Sequence, residues 1–145
     1  MSAVINTFIY IHAIWCTADR EPVLTPVIRK VFFPYIMQAA SSRGIQLLAL
    51  NGTANHVHCL CKLMPTQTTG GVISQLKTGS ESWLNSNQLL AAPFHWDEFY
   101  AAYSVSPSTI DKAVEYIQKQ EDYHQHKSLE EELEAFGKMV VSLTV

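Results

Sequence analysis

Two imidazoles one residue apart, His56 and His58, interrupt an apolar run in the segment NHVHCLCKL over residues 55–63. Alternate residues of a strand share a face, so His56, His58, Leu60 and Lys62 point one way and Val57, Cys59, Cys61 and Leu63 the other. That alternation separates the imidazoles from the thiols and removes a four-ligand zinc cluster from consideration. It also sets the two histidines roughly 7 Å apart at their Cα atoms, close enough for both rings to hold one ion. The competing reading is a pair of exposed or hydrogen-bonded histidines on a half-buried strand. A metal site needs a third donor, and another element must bring it.

The candidate donor lies in VEYIQKQEDYHQH, residues 114–126. At about 100° per residue, Tyr116, Gln120 and Tyr123 form one helical stripe. Tyr116 and Gln120, at i and i+4, project together. A glutamine amide oxygen is a hard, neutral ligand suited to Mg²⁺ or Mn²⁺, whereas zinc more often recruits cysteine or a further histidine. A tyrosine beside such an ion has a specific use in attacking a phosphodiester. The ion polarises a phosphate oxygen while the phenol oxygen displaces the 3′-oxygen, leaving a covalent phosphotyrosine. Amphipathic helices often supply Tyr-x-x-x-Gln, so its weight comes from the conjunction with His-x-His. Tyr123 is the rival nucleophile, while Tyr10, Tyr35, Tyr100 and Tyr103 stand in apolar contexts and read as packed. His12 and His95 read as structural, His124 and His126 as a solvated helix end, and the three tryptophans as core. Asn55 reads as a turn residue, with orientation of a ligand histidine as the alternative.

These residues need elements to position them. TFIYIHAIWC (7–16) reads as a central strand, rich in β-branched and aromatic residues. Thr25 caps a helix that has Pro26 in its first turn and stops at Gly44, with Pro34 expected to kink or divide it. Strands over 45–53 and 56–64 are expected to pair as a hairpin through an Asn-Gly turn. A second helix is expected over 70–85 with Val72, Leu76 and Trp83 inward, then a strand around Phe99–Val105. A long helix follows from the Ser-Pro start at 106, its core face formed by Ile110, Ala113, Val114 and Ile117. An acidic helix over 128–139 begins with a capping-box pair, Ser128 and Glu131. The order β-α-β-β-α-β-α points to an α+β, ferredoxin-like or RRM-like sandwich. Its antiparallel sheet is expected to carry helices on one face, plus a C-terminal helix bearing the tyrosine.

At 145 residues the chain fits one domain, with 127–145 as an acidic helical extension. No run approaches the ~20 apolar residues that span a bilayer. The start, MSAVINTFIYIHAIWC, lacks a basic leader, so the expectation is a cytoplasmic protein with no membrane partner. Three cysteines form no spaced framework and suit a reducing compartment. The net charge of −3 is uneven: residues 1–110 hold six Lys/Arg against five Asp/Glu, and residues 111–145 hold four against eight. A near-neutral body neither demands nor forbids nucleic acid.

Taken together, NHVHCL, FHWDEFYAAYSVS and the segment from VEYIQKQ to FGKM resemble the single-tyrosine HUH transposases of the insertion-sequence-200-like, TnpA-type family. IHAIWCTADREPVL and LKTGSESWLN extend the resemblance over nearly the whole chain, in order. The resemblance implies that His56 and His58 coordinate a divalent ion, Mg²⁺ or Mn²⁺, with Gln120 as third ligand. It implies that Tyr116 cleaves single-stranded DNA through a 5′-phosphotyrosine, so that a later strand end can rejoin without ATP. It further implies recognition of hairpin ends and a homodimer whose tyrosine helix acts in trans. Lys62 and Lys77 are the candidate DNA contacts. Two other readings stay open: a non-catalytic nucleic-acid-binding module on this fold, and a metal-dependent phosphodiester hydrolase.

Overall fold

A computed structural model describes residues 5–138; residues 1–4 and 139–145, including the expected helix end at Met139 and most of the last part of the extension, lie outside the described residues. The elements run β1 (Ile9–Thr17), α1 (Pro26–Ser42), β2 (Gln46–Gly52), β3 (His56–Leu63), α2 (Thr69–Ser86), β4 (Trp96–Val105), α3 (Ile110–Gln118), α4 (Gln120–His124) and α5 (Leu129–Lys138). The four strands form one antiparallel sheet in the order β2-β3-β1-β4, the ferredoxin-like arrangement expected from the element order. Among the described residues no helix is long and apolar enough to cross a membrane.

Alternation along β1 and β3 divides the molecule into two layers. Ala13, Trp15, Val57, Cys59 and Cys61 face α1 and α2 and join Phe32, Ile36, Val72, Ile73 and Leu76 in the main core. Trp83 packs at its margin, stacked on Tyr35 with ring centroids 4.2 Å apart. The opposite face holds Tyr10, Ala49 and Leu60 against Ile117 of α3, and Ile14 and Cys16 against Leu129 of α5. Pairing of β1 with β3 sets His12 beside Leu60, Ile14 beside His58 and Cys16 beside His56, so all three histidines share that second face.

Three local expectations are corrected. Of the two outcomes expected at Pro34, division does not occur: α1 runs unbroken from Pro26 to Ser42, with Phe32, Phe33 and Ile36 buried on both sides of the proline. Asn51-Gly52 is not the hairpin turn but the end of β2, and the chain reverses over 53–55. Glycine is required there by a close approach: a Cβ on Gly52 would lie 2.1 Å from the His56 carbonyl oxygen. The long helix expected from residue 106 onward is broken at Lys119 (φ −100°, ψ 23°), between α3 and α4. By contrast the capping box is formed: Glu131 N donates to Ser128 Oγ at 3.1 Å, and Ser128 N to Glu131 Oε1 at 3.3 Å.

Candidate metal and nucleophile site

The second face of the sheet is where the sequence-derived residues meet. His56 and His58 project from β3, both buried, with ring centroids 5.2 Å apart. Gln120, the first residue of α4 after the Lys119 break, is fully buried over them, its Oε1 3.3 Å from His56 Nε2. Tyr116, on the last turn of α3, is half-buried with its ring centroid 5.9 Å from that of His58. Tyr123 lies edge-on against Tyr116 at 5.4 Å. Tyr10 and Tyr35 are packed as expected, whereas Tyr100 at the sheet edge is exposed.

Three further residues complete the cluster. His12 Nε2 shares a 2.7 Å hydrogen bond with His58 Nδ1. His124, expected on a solvated helix end, instead points inward, with Nε2 3.0 Å from Gln120 Oε1 and 3.1 Å from Glu132 Oε1; His126 is exposed as expected. Glu132, from α5, is fully buried. Its Oε1 accepts from His58 Nε2 at 2.9 Å and stands 3.6 Å from His56 Nε2. Its Oε2 accepts the Tyr116 hydroxyl and, at 3.3 Å, Gln120 Nε2. Asn55 Oδ1 and Thr53 Oγ1 hold His56 Nδ1 at 2.9 and 3.0 Å, so Asn55 serves both the turn and the His56 ring.

The electrostatics follow from burial and from this one carboxylate. Burial, reinforced by neighbouring His58, pushes the imidazoles of His12 and His56 down to about 3, and burial lowers His58 as well. These rings are neutral at pH 7, the state that ligates metal. Burial opposes charge on Glu132, but hydrogen bonds from His124 and His58 outweigh it and hold the carboxyl below its usual range. Burial also opposes charge on His124, and its hydrogen bond to Glu132 reverses the balance and raises it. Burial, and then the bond to Glu132, raise the Tyr116 phenol, which is therefore held protonated. Ligand atoms of His56, His58, His124 and Glu132 all lie within 4.8 Å of one another, a donor set that fits a divalent cation.

Neither lysine singled out in the sequence joins this cluster. Lys62 sits on the histidine face at the far end of β3, its ammonium 4.8 Å above the Phe8 ring. Lys77 belongs to α2 on the opposite layer and donates to the Asp97 carbonyl oxygen. A cleft of about 440 Å³ opens beside Tyr116, lined among others by Ser104, Ser106, Thr109, Lys112 and Phe136. Glu132 and Lys112 were missed in the sequence. Glu132 did leave a trace, because Leu129, Leu133 and Phe136 mark the apolar stripe of α5 and residue 132 falls inside it.

Comparison with known proteins agrees with this geometry. Residues 6–120 match the family described as IS200-like transposases. The ISDra2 transposase TnpA of Deinococcus radiodurans is 24% identical over 116 residues, covering 77% of this chain and 83% of that protein. A crystal structure of a protein assigned as a transposase of D. radiodurans R1 aligns with a TM-score of 0.64 at 23% identity, covering 83% of this chain and 96% of that one. The REP-associated tyrosine transposase bound to a REP hairpin aligns with a TM-score of 0.60 at 14% identity, covering 86% and 74%. At these identities the structural likeness establishes the fold.

Proposed function

The chain belongs to the IS200-like transposase family and is a DNA transposase, and from that premise we propose that it cuts and rejoins single-stranded DNA through Tyr116. His56, His58 and Gln120 would hold a divalent ion, Mg²⁺ or Mn²⁺, which when bound polarises the scissile phosphate. The Tyr116 oxygen attacks phosphorus; the new O–P bond forms as the bond to the 3′-oxygen breaks. The phenol proton ends on the departing oxygen as a free 3′-hydroxyl, and the 5′-phosphate stays on Tyr116. Attack by another 3′-hydroxyl reverses the step, with the number of phosphoester bonds unchanged throughout. The observation that carries this reading is that one carboxylate, Glu132, touches both the Tyr116 hydroxyl and His58 Nε2.

The cleft beside Tyr116 offers hydroxyls from Ser104, Ser106 and Thr109 and the ammonium of Lys112, groups suited to phosphate oxygens. Lys62, on the same face, is kept as a contact for a longer strand, and Lys77 as a contact outside the site. A hairpin-bearing single strand is the proposed substrate, supported by the hairpin bound to the REP-associated relative. The tyrosine helix packs on its own chain, through Ile117 against Leu60 and through Asn51 Nδ2 donating to Gln118 O at 3.0 Å. Those contacts complete the site within one chain, and a homodimer that exchanges the tyrosine helix is the alternative arrangement.

The test is incubation with Mn²⁺ and the chain's own single-stranded, hairpin-bearing DNA end, followed by SDS gel electrophoresis. Wild type and Y123F are expected to form an SDS-stable protein–DNA adduct and Y116F none. An adduct in Y116F would overturn the assignment. Free 5′-phosphate without adduct would instead identify a hydrolase, and binding without cleavage by the metal-loaded protein a binding module.

A further inference from the structure

The hydrogen-bond pattern around His124 and Glu132 leaves a specific chemical problem. His124 Nδ1 lies 2.7 Å from the Lys127 carbonyl oxygen, a group that only accepts, so Nδ1 carries the hydrogen. A neutral His124 therefore presents a bare Nε2 lone pair to Gln120 Oε1 at 3.0 Å and Glu132 Oε1 at 3.1 Å. The Gln120 amide cannot be turned to relieve this, because its nitrogen donates to Tyr116 O and Glu132 Oε2. His56 adds a third nitrogen to the same oxygens: its Nδ1 faces Asn55 Oδ1 and Thr53 Oγ1, and its Nε2 meets Gln120 Oε1 at 3.3 Å and Glu132 Oε1 at 3.6 Å. Between a neutral His124 and the oxygens of Gln120 and Glu132, lone pairs converge with no hydrogen to share. A proton on His124 relieves part of the repulsion; a divalent cation relieves all of it.

We propose that His124 and Glu132 are metal ligands, completing with His56, His58 and Gln120 a nitrogen-rich centre that prefers Mn²⁺ to Mg²⁺. The proposal rests on the reading of this site as a metal centre and adds to it two ligands from α4 and α5. The spacing supports it. With bonds of about 2.1 Å, neighbouring donors stand about 3.0 Å apart around an octahedral ion and about 3.4 Å around a tetrahedral one. The contacts between these donors, from 2.9 to 3.6 Å, fall around that range. Donors on opposite sides of an ion stand about 4.2 Å apart, so the 4.8 Å outer limit closes by a shift of a few tenths of an ångström. His58 is fixed for the task by His12, which holds its Nδ1. Three imidazoles suit first-row transition ions, whereas Mg²⁺ favours oxygen and keeps its water.

The test is titration of the metal-free full chain with Mn²⁺ and, separately, Mg²⁺, by calorimetry and without DNA. Wild type is expected to bind Mn²⁺ more tightly than Mg²⁺. H124A and E132A are expected to lose at least about tenfold in Mn²⁺ affinity. E132Q, which keeps the shape and one neutral oxygen, should lose less and guards against a folding artefact, checked by circular dichroism in chelator. Unchanged Mn²⁺ affinity in H124A and E132A, with loss in H58A, would reject these two ligands and leave the function proposed above standing. Tighter binding in E132A would make Glu132 an occupant that excludes the ion, and would equally reject the proposal. Failure of wild type to bind either ion would bring down both readings.

Discussion

A fully buried carboxylate costs several kcal/mol unless its lone pairs are met. Glu132 meets that cost with the Tyr116 hydroxyl, His58 and Gln120, and with His124 when that ring is protonated. Its removal therefore disturbs Tyr116 and the histidine pair together. His12 acts one step further out. It touches neither donor oxygen and holds the His58 ring through Nδ1. H12A is expected to fold, to keep Tyr116 in place and to bind Mn²⁺ about tenfold more weakly, read by the same calorimetry; unchanged affinity would reduce His12 to packing. At this scale the sequence was legible where chemistry lies within one local period. His56 and His58 share a strand face, and Tyr116 and Gln120 share a helix face. Glu132 was legible only as a residue inside the Leu129, Leu133 and Phe136 stripe; its role was not, because its partner His58 stands 74 residues away.

The break at Lys119 divides the expected long helix into α3 and α4 beside the site. Gln120 stays on the Tyr116 side across it: its Nε2 donates to Tyr116 O at 3.4 Å and, like the Tyr116 hydroxyl, to Glu132 Oε2, and His124 follows one turn on at 3.0 Å from Gln120 Oε1. No glycine or proline marks that position, so sequence periodicity runs straight through it. At residue 52 the fault lies in the opposite direction. Asn-Gly is a strong turn signal, but here glycine is needed for the close approach of the His56 carbonyl. Strand order, hairpin pairing and the two-layer plan were legible because they depend on alternation and element order. Placement of α3 on its own chain yields a prediction. A mixture of H58A and Y116F, each inactive alone, is expected to remain inactive in the adduct assay, whereas recovery of adduct would show that the helix is exchanged between subunits.

Over the whole molecule, the acidic C-terminal quarter, residues 111–145, is tied to a near-neutral body by specific ion pairs. Arg29 Nη2 meets Glu121 Oε1 at 2.7 Å, and Arg20 pairs with Glu130, so α4 and α5 are held over the sheet from both ends. Exposed pairs of this kind are worth little individually, and the buried cluster dominates the response to pH. His12 and His56 titrate near 3 in the folded chain against 6.5 when unfolded. On acidification the unfolded chain takes up protons first, so their contribution to stability is full above pH 6.5 and falls as pH drops toward 3. Each such histidine costs up to about 1.4 kcal/mol per pH unit. His58 and Glu132, both lowered, act in the same direction; His124, raised, acts in the opposite one and is outnumbered. Above pH 6.5 His124 acts largely alone, so stability there falls as the pH rises; below it the lowered histidines outnumber His124, and the Tm of the metal-free protein is expected to decline as the pH drops below about 6. A Tm that rises on acidification below about pH 6 would contradict the neutral, buried histidines.

The central claim is that Tyr116 is the residue that becomes joined to DNA. Its most direct measurement is peptide mapping by mass spectrometry of the SDS-stable adduct after nuclease and protease digestion. The account predicts a 5′-phosphonucleotide on the tyrosine of the peptide containing Val114-Glu115-Tyr116-Ile117. The modification on Tyr123, or on any residue other than Tyr116, would contradict it.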